Sequence, residues 1–105
     1  MGNWKVGDRA LVQWSGDGDW YPASVTGVSD SQYYVIFDDG DEEWTNDARM
    51  TPENLTAGDK VLGNWKRGGE YYPGTIAARA GNVLAIDYDD GDKETLTIAR
   101  IKVRR

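Results

Sequence analysis

Residues 14–22 read WSGDGDWYP, and residues 65–73 read WKRGGEYYP. Each stretch sets a Trp before a Gly-rich turn and a Tyr-Pro pair after it. The two lie 51 positions apart, and the offset holds without a gap on either side. Gly7-Asp8 falls on Gly58-Asp59, Leu11 on Leu62, and Asp38-Asp39-Gly40-Asp41 on Asp89-Asp90-Gly91-Asp92. Glu43 falls on Glu94, and Ala48-Arg49 on Ala99-Arg100. Between residues 7 and 50, 14 of 44 positions are identical to their counterparts 51 residues on. A fixed internal period marks a repeated structural unit. The expected units are 1–52 and 53–105, joined through the short Pro-containing segment TPENLTA, residues 51–57.

Each copy reads as short strands. In the first, these are Arg9–Trp14, Trp20–Val28, Gln32–Phe37 and Asp41–Thr45, followed by a turn of helix and a last short strand over 47–51. The Tyr, Val and Ile content of 32–37 favours extended chain, and Asp38-Asp39-Gly40 is a hairpin signal. No window sustains a 3.6-residue period. Several strands at this spacing predict a small antiparallel barrel or sandwich. Tyr33-Tyr34-Val35-Ile36-Phe37 is apolar throughout and does not declare its inward face. Its counterpart Leu84-Ala85-Ile86-Asp87-Tyr88 does. Asp87 requires water, so Tyr33, Val35 and Phe37 are expected inside. The same parity places Ala10, Val12 and Trp14 on one face and sends Leu11 and Leu62 outward, toward other protein.

Composition narrows the functional classes. The 105 residues contain no Cys and no His, which removes disulfides, thiolate chemistry, zinc ribbons and the commonest general base. No nucleophile–base pair stands out, so an enzyme is not expected. The Asp-Gly-Asp runs lack the spacing of a calcium-binding loop, and no metal or cofactor is expected. No stretch approaches the roughly 20 apolar residues of a membrane span, and the N-terminus lacks the apolar core of a secretion signal. An intracellular setting is expected, nuclear in a eukaryote and cytoplasmic in a bacterium. The net charge is −6. Residues 1–52 carry three bases against ten acids, and residues 53–105 nine against eight. An acidic first half repels phosphate backbones and attracts cations.

Four positions recur at strand ends and turns: Trp14, Tyr21, Phe37 and Asp39, then Trp65, Tyr72, Tyr88 and Asp90. Strand ends gathered at one end of a barrel bring rings and a carboxylate together. Such rings either fill a small core or line an open cage. A cage suits an alkylated ammonium or guanidinium, each ring face contributing ~0.5–2 kcal/mol. Three rings and an acid supply ~4–7 kcal/mol, binding in the millimolar to ten-micromolar range. Trp4, Trp20 and Trp44 fall outside this pattern and read as packing or interface residues.

The pattern W-x-x-x-G-x-x-Y-P followed by F/Y-D-D-G, twice in register, resembles the Tudor domains of the royal superfamily, with Agenet domains the near alternative. The resemblance covers almost all of both copies. It implies an all-β chain of two tandem SH3-like antiparallel barrels packed side by side. It also implies recognition of methylated Lys or Arg on a basic peptide, histone tails being the family's usual target. Its cage positions fall on Trp14, Tyr21, Phe37 and Asp39, and on Trp65, Tyr72, Tyr88 and Asp90. A further family aromatic after the Asp-Gly turn is replaced here by Asp41 and Asp92. Three rings rather than four favour lower methylation states, or unmodified cationic side chains, over trimethyl-lysine. The first copy is the expected working cage, because its acids attract cations while Lys66-Arg67 would repel them. The rival readings are a scaffold module indifferent to methylation and, against the acidic balance, a nucleic-acid adaptor acting through the second copy.

Overall fold

The computed structural model describes residues 3–105, which divide into two compact units with the boundary between Glu53 and Asn54. The first unit contains β1 (Arg9–Gln13), β2 (Trp20–Ser29), β3 (Gln32–Phe37), β4 (Glu42–Asn46), a 3-10 turn (Asp47–Arg49) and β5 (Met50–Pro52). The second repeats this order: β6 (Lys60–Asn64), a 3-10 turn (Trp65–Arg67), β7 (Tyr71–Ala80), β8 (Val83–Tyr88), β9 (Lys93–Thr97), a 3-10 turn (Ile98–Arg100) and β10 (Ile101–Lys102). Each unit is one five-stranded antiparallel sheet, ordered β4-β3-β2-β1-β5 and β10-β6-β7-β8-β9.

The long second strand bends in both units. Register slips by one residue between Val25 and Gly27, and again between Ile76 and Ala78. An extra residue on one strand of a pair forms a bulge that kinks and twists it, so one strand can serve both halves of a curled sheet. The Pro22 and Pro73 carbonyls accept from the Asp38 and Asp89 N–H at 3.0 Å, which fixes the end of the third strand against the start of the second. Gly40 and Gly91 take φ of 103° and 99° in the hairpins that follow, a region glycine enters at little steric cost.

The inward residues match the expected alternation. Ala10, Val12, Tyr21, Ala23, Val25, Tyr33, Val35, Phe37 and Met50 form the first core, with Trp4 and Trp14 packed against it. Val61, Ile76, Leu84, Ile86, Tyr88, Leu96, Ile98 and Ile101 form the second, with Leu55, Trp65 and Val103 packed against it. Asp87 points outward and pairs with Lys93 at 2.9 Å. Leu11 is fully buried although it lies outside the first core cluster. Leu62 is half-buried and lines a shallow groove with Val61 and Pro73.

The two cores exchange volume at one matched pair of positions. A Cβ placed on Gly63 would sit 2.4 Å from the Tyr88 hydroxyl oxygen. The equivalent residues in the first unit are Val12 and Phe37. One unit spends the space on a branched aliphatic side chain, and the other on a phenol. This exchange carries a polar group to the mouth of the second barrel.

Candidate functional site

In the second unit, Trp65, Tyr72, Tyr88, Asp90 and Asp92 line one pocket of about 190 Å³. Trp65 follows β6, Tyr72 lies early in β7, Tyr88 ends β8, and the two acids flank Gly91 in the next turn. The Trp65 and Tyr88 rings stand edge-to-face at 86°, with centroids 5.3 Å apart. Tyr72 is 41% exposed, and its hydroxyl donates to Glu70 Oε1 at 2.8 Å. The Asp90 carboxylate accepts the Asp92 N–H at 3.0 Å. This is ordinary turn chemistry, yet both carboxylates still border the cavity.

A polar layer holds the rings from behind. The Tyr88 hydroxyl donates to Glu94 Oε1 at 2.9 Å, and Arg100 Nη2 donates to Glu94 Oε2 at 2.8 Å. The Lys66 N–H also donates to Glu94 Oε2, at 3.1 Å. Arg100 Nη2 reaches the Asn64 carbonyl at the end of β6 as well. Burial pushes the Glu94 carboxyl up, but the Arg100, Tyr88 and Lys66 donors outweigh it and hold the group below its ordinary value. The Tyr88 phenol is pushed well above its ordinary value, first by burial and then by its bond to Glu94. The Tyr72 phenol is also raised, chiefly by its bond to Glu70. Both phenols therefore stay neutral at physiological pH, and the charge in the pocket comes from its two aspartates.

Glu94 and Arg100 were visible in the sequence only as the repeated Glu43/Glu94 and Arg49/Arg100 matches, with no role attached. Their common task is structural. Arg49 donates to the Gln13 carbonyl through Nε at 3.3 Å and Nη2 at 2.9 Å, the place matched by Arg100 and Asn64. Glu43, with a Phe rather than a Tyr at hand, accepts from the Ser15 hydroxyl at 2.9 Å.

The matching side chains of the first unit make a different arrangement. Trp14 and Tyr21 meet edge-to-face at 5.9 Å, and Tyr21 and Phe37 at 6.2 Å. Tyr21 is only 9% exposed, against 41% for Tyr72, whereas Phe37 and Tyr88 are both buried, at 2% and 5%. The turn closes over the trio. A Cβ at Gly16 would lie 2.5–2.7 Å from the six-membered ring of Trp14, and Asp17 Oδ2 accepts from the Tyr21 hydroxyl at 2.5 Å. Asp17 corresponds to Gly68, so the second unit has no carboxylate at that place to draw its Tyr inward. Asp39 accepts the Asp41 N–H at 3.1 Å within its turn.

The sequence reading favoured the first unit on charge, but the more open arrangement of rings is in the second. Lys66 and Arg67 take left-handed φ of 50° and 60°. Neither lines the pocket, and the Lys66 ammonium lies 5.0 Å from the centroid of Trp65. The Lys66 charge therefore bears on a ring of the pocket from outside the cavity. Among the described residues no group of three or more carboxylates is placed to hold a metal ion, and no helix is long and apolar enough to cross a membrane.

A family model described as "Domain of unknown function (DUF4537)" matches residues 7–103. No curated protein matches the chain. Among solved structures, the Crb2 tandem tudor domains align over 99% of this chain and 82% of that one, at 22% identity and a TM-score of 0.68. The AGD34 segment of Arabidopsis thaliana AGDP1 aligns over 95% and 82% at 16% identity, with a TM-score of 0.46. Tandem Agenet domains 3-4 of ADCP1 align over 95% and 79% at 16% identity, with a TM-score of 0.43. The Crb2 likeness shows the fold: two tandem Tudor-like barrels.

Proposed function

The chain belongs to the family described as Domain of unknown function (DUF4537), and we propose that it is a non-catalytic peptide-binding module whose second unit captures an alkylated ammonium or guanidinium. The observation that carries this reading is the grouping of Trp65, Tyr72, Tyr88, Asp90 and Asp92 around one cavity. Drug-sized ligands need about 300 Å³ or more; a cavity of about 190 Å³ suits one side-chain headgroup. Ring faces attract a cation, and N-methyl groups suit the apolar surface between them. Asp92 stands where a fourth ring would complete the wall. Two carboxylates reward a headgroup that keeps an N–H to donate, so mono- and dimethyl-lysine and methylated arginine are favoured over trimethyl-lysine. A basic peptide on a marked protein, histone tails among the candidates, is the corresponding partner.

The test is a titration of labelled protein with matched peptides bearing Lys or Arg in each methylation state. The expected result is shifts at Trp65 and Tyr72 that grow with mono- and dimethylation and fall at trimethyl-lysine. Trp65→Ala weakens binding tenfold or more, the equivalent of about 1.4 kcal/mol or greater, while Trp14→Ala has little effect on affinity. Shifts indifferent to methylation would instead favour a scaffold module, and the reading would then be wrong.

A further inference from the structure

The two units share one fold and one register, so each supplies a reference for the other's surface. On the outer face of the β2-β3-β4 sheet, Tyr34 stands opposite Trp44 and Ile36 opposite Glu42. The Tyr34 and Trp44 rings meet at 5.0 Å and 63°, and Gly27 lies across from Tyr34 on the next strand. Trp44 is 51% exposed and Ile36 39%. The same positions in the second unit are Ala85, Thr95, Asp87 and Lys93, a polar surface closed by the 2.9 Å Asp87–Lys93 ion pair. The sheet therefore does not require apolar residues on this face. Folding gains little from a large ring left half in water, and exposed apolar patches with polar rims mark interaction surfaces.

Charge selects the occupant. The patch belongs to the acidic half, three bases against ten acids. The carboxylate on its own face is Glu42, which accepts from the Tyr34 hydroxyl. The adjoining Arg9 is held by Asp38 through two contacts of 2.6 Å. Nucleic acid and anionic lipid are repelled by such a surface. A guanidinium is weakly hydrated and planar, stacks on aromatic faces and donates to carboxylates in the same plane. We propose that the Tyr34–Ile36–Trp44 face is a second peptide-binding surface, one that takes an unmodified arginine-bearing basic segment by stacking on Trp44 with Glu42 as acceptor. It uses none of the side chains of the second-unit pocket and stands whether or not that pocket reads methylation.

The experiment titrates the full ¹⁵N-labelled chain with acetylated, amidated Arg-Gly repeat peptide, with the Lys-Gly and Glu-Gly analogues, and with a single-stranded oligonucleotide. The expected result is movement of the Trp44 indole and of the Tyr34 and Ile36 amides with Arg-Gly. The Lys-Gly response is several-fold weaker, and the other two probes give none. Replacing all three residues by their second-unit counterparts, Tyr34→Ala, Ile36→Asp and Trp44→Thr, weakens the Arg-Gly response at least tenfold. Trp44→Thr alone serves if the triple variant does not fold, and Trp65→Ala leaves the response in place. Equal responses to Arg-Gly and Lys-Gly, unchanged affinity in the variants, or a preference for the oligonucleotide would overturn the proposal. So would a concentration-dependent dimer abolished by Trp44→Thr, which would assign the face to a second copy of this chain.

Discussion

The volume exchange between Val12/Phe37 and Gly63/Tyr88 gives the second unit its polar-backed ring. Phe37 has no hydroxyl, so Glu43 turns to Ser15; Tyr88 has one, so Glu94 accepts it and joins it to Arg100. The exchange is testable because its halves are separable. Gly63→Val places methyl groups where the phenol oxygen lies, and overpacking of this kind costs about 1–3 kcal/mol. Adding Tyr88→Phe removes the clashing oxygen and recreates the first unit's pair. Urea denaturation of both single variants and the double variant is expected to show a favourable coupling of about 1 kcal/mol or more. Additive losses would mean that the two positions do not share the space. Neither half of the exchange is conspicuous by itself in the sequence. Gly63 reads as a weak strand residue and Tyr88 as a conservative change from Phe; only the folded register brings them into contact.

At the scale of elements, the turn between the first two strands separates the units. Asp17 and the close-packed Gly16 seal the first one. In the second, Lys66 and Arg67 adopt left-handed backbone, which costs non-glycine residues roughly 1–2 kcal/mol each. Arg67 occupies the place of Gly16, and Arg67→Gly is expected to raise the second unit's stability by up to about 1 kcal/mol, partly offset by the freer unfolded chain. Thermal unfolding followed by amide signals of that unit checks this. The Glu94 cluster fixes the other side of the pocket and adds a pH term. Because the folded pKa of Glu94 is lowered, its contribution is fully present above the unfolded value of about 4.3. It is lost as pH falls through the lower folded value. Glu94→Gln is expected to cost about 1.5–3 kcal/mol at neutral pH, the range for hydrogen bonds to a charged group, and to flatten that acid limb. A variant whose acid unfolding parallels the parent's would remove Glu94 from this role. Strand positions and inward faces were legible because Asp87 in one copy resolved the all-apolar run in the other. The openness of each pocket was not, since it turns on backbone angles and side-chain reach within five-residue turns whose sequences differ almost throughout.

Across the whole molecule, the charge distribution and the aromatic sites are out of step. The acids concentrate in residues 1–52, whereas the ring pocket lies in the nearly balanced half. Charge alone favours the first unit, and the exposure of Tyr72 favours the second. That charge also accompanies the exposed Tyr34–Trp44 face, where the sequence marked Trp44 as a packing or interface residue and the contrast with Ala85 and Thr95 supplies the rest. The two kinds of attraction separate by range. Exposed charges more than a Debye length apart, about 10 Å at 0.1 M salt, are largely screened from each other, whereas contact between a cation and a ring is screened far less. On the proposed function, a long basic peptide samples the acidic field of the chain, while free dimethyl-lysine samples chiefly Trp65, Tyr72, Tyr88 and the two aspartates beside them. Raising ionic strength from about 0.05 to about 0.5 M is accordingly expected to weaken the basic peptide roughly tenfold and free dimethyl-lysine less than about twofold. Parallel titrations followed at the Trp65 indole, at both salt concentrations, measure the difference. Equal losses for the two ligands would mean that the pocket itself works by long-range charge and that its rings contribute little.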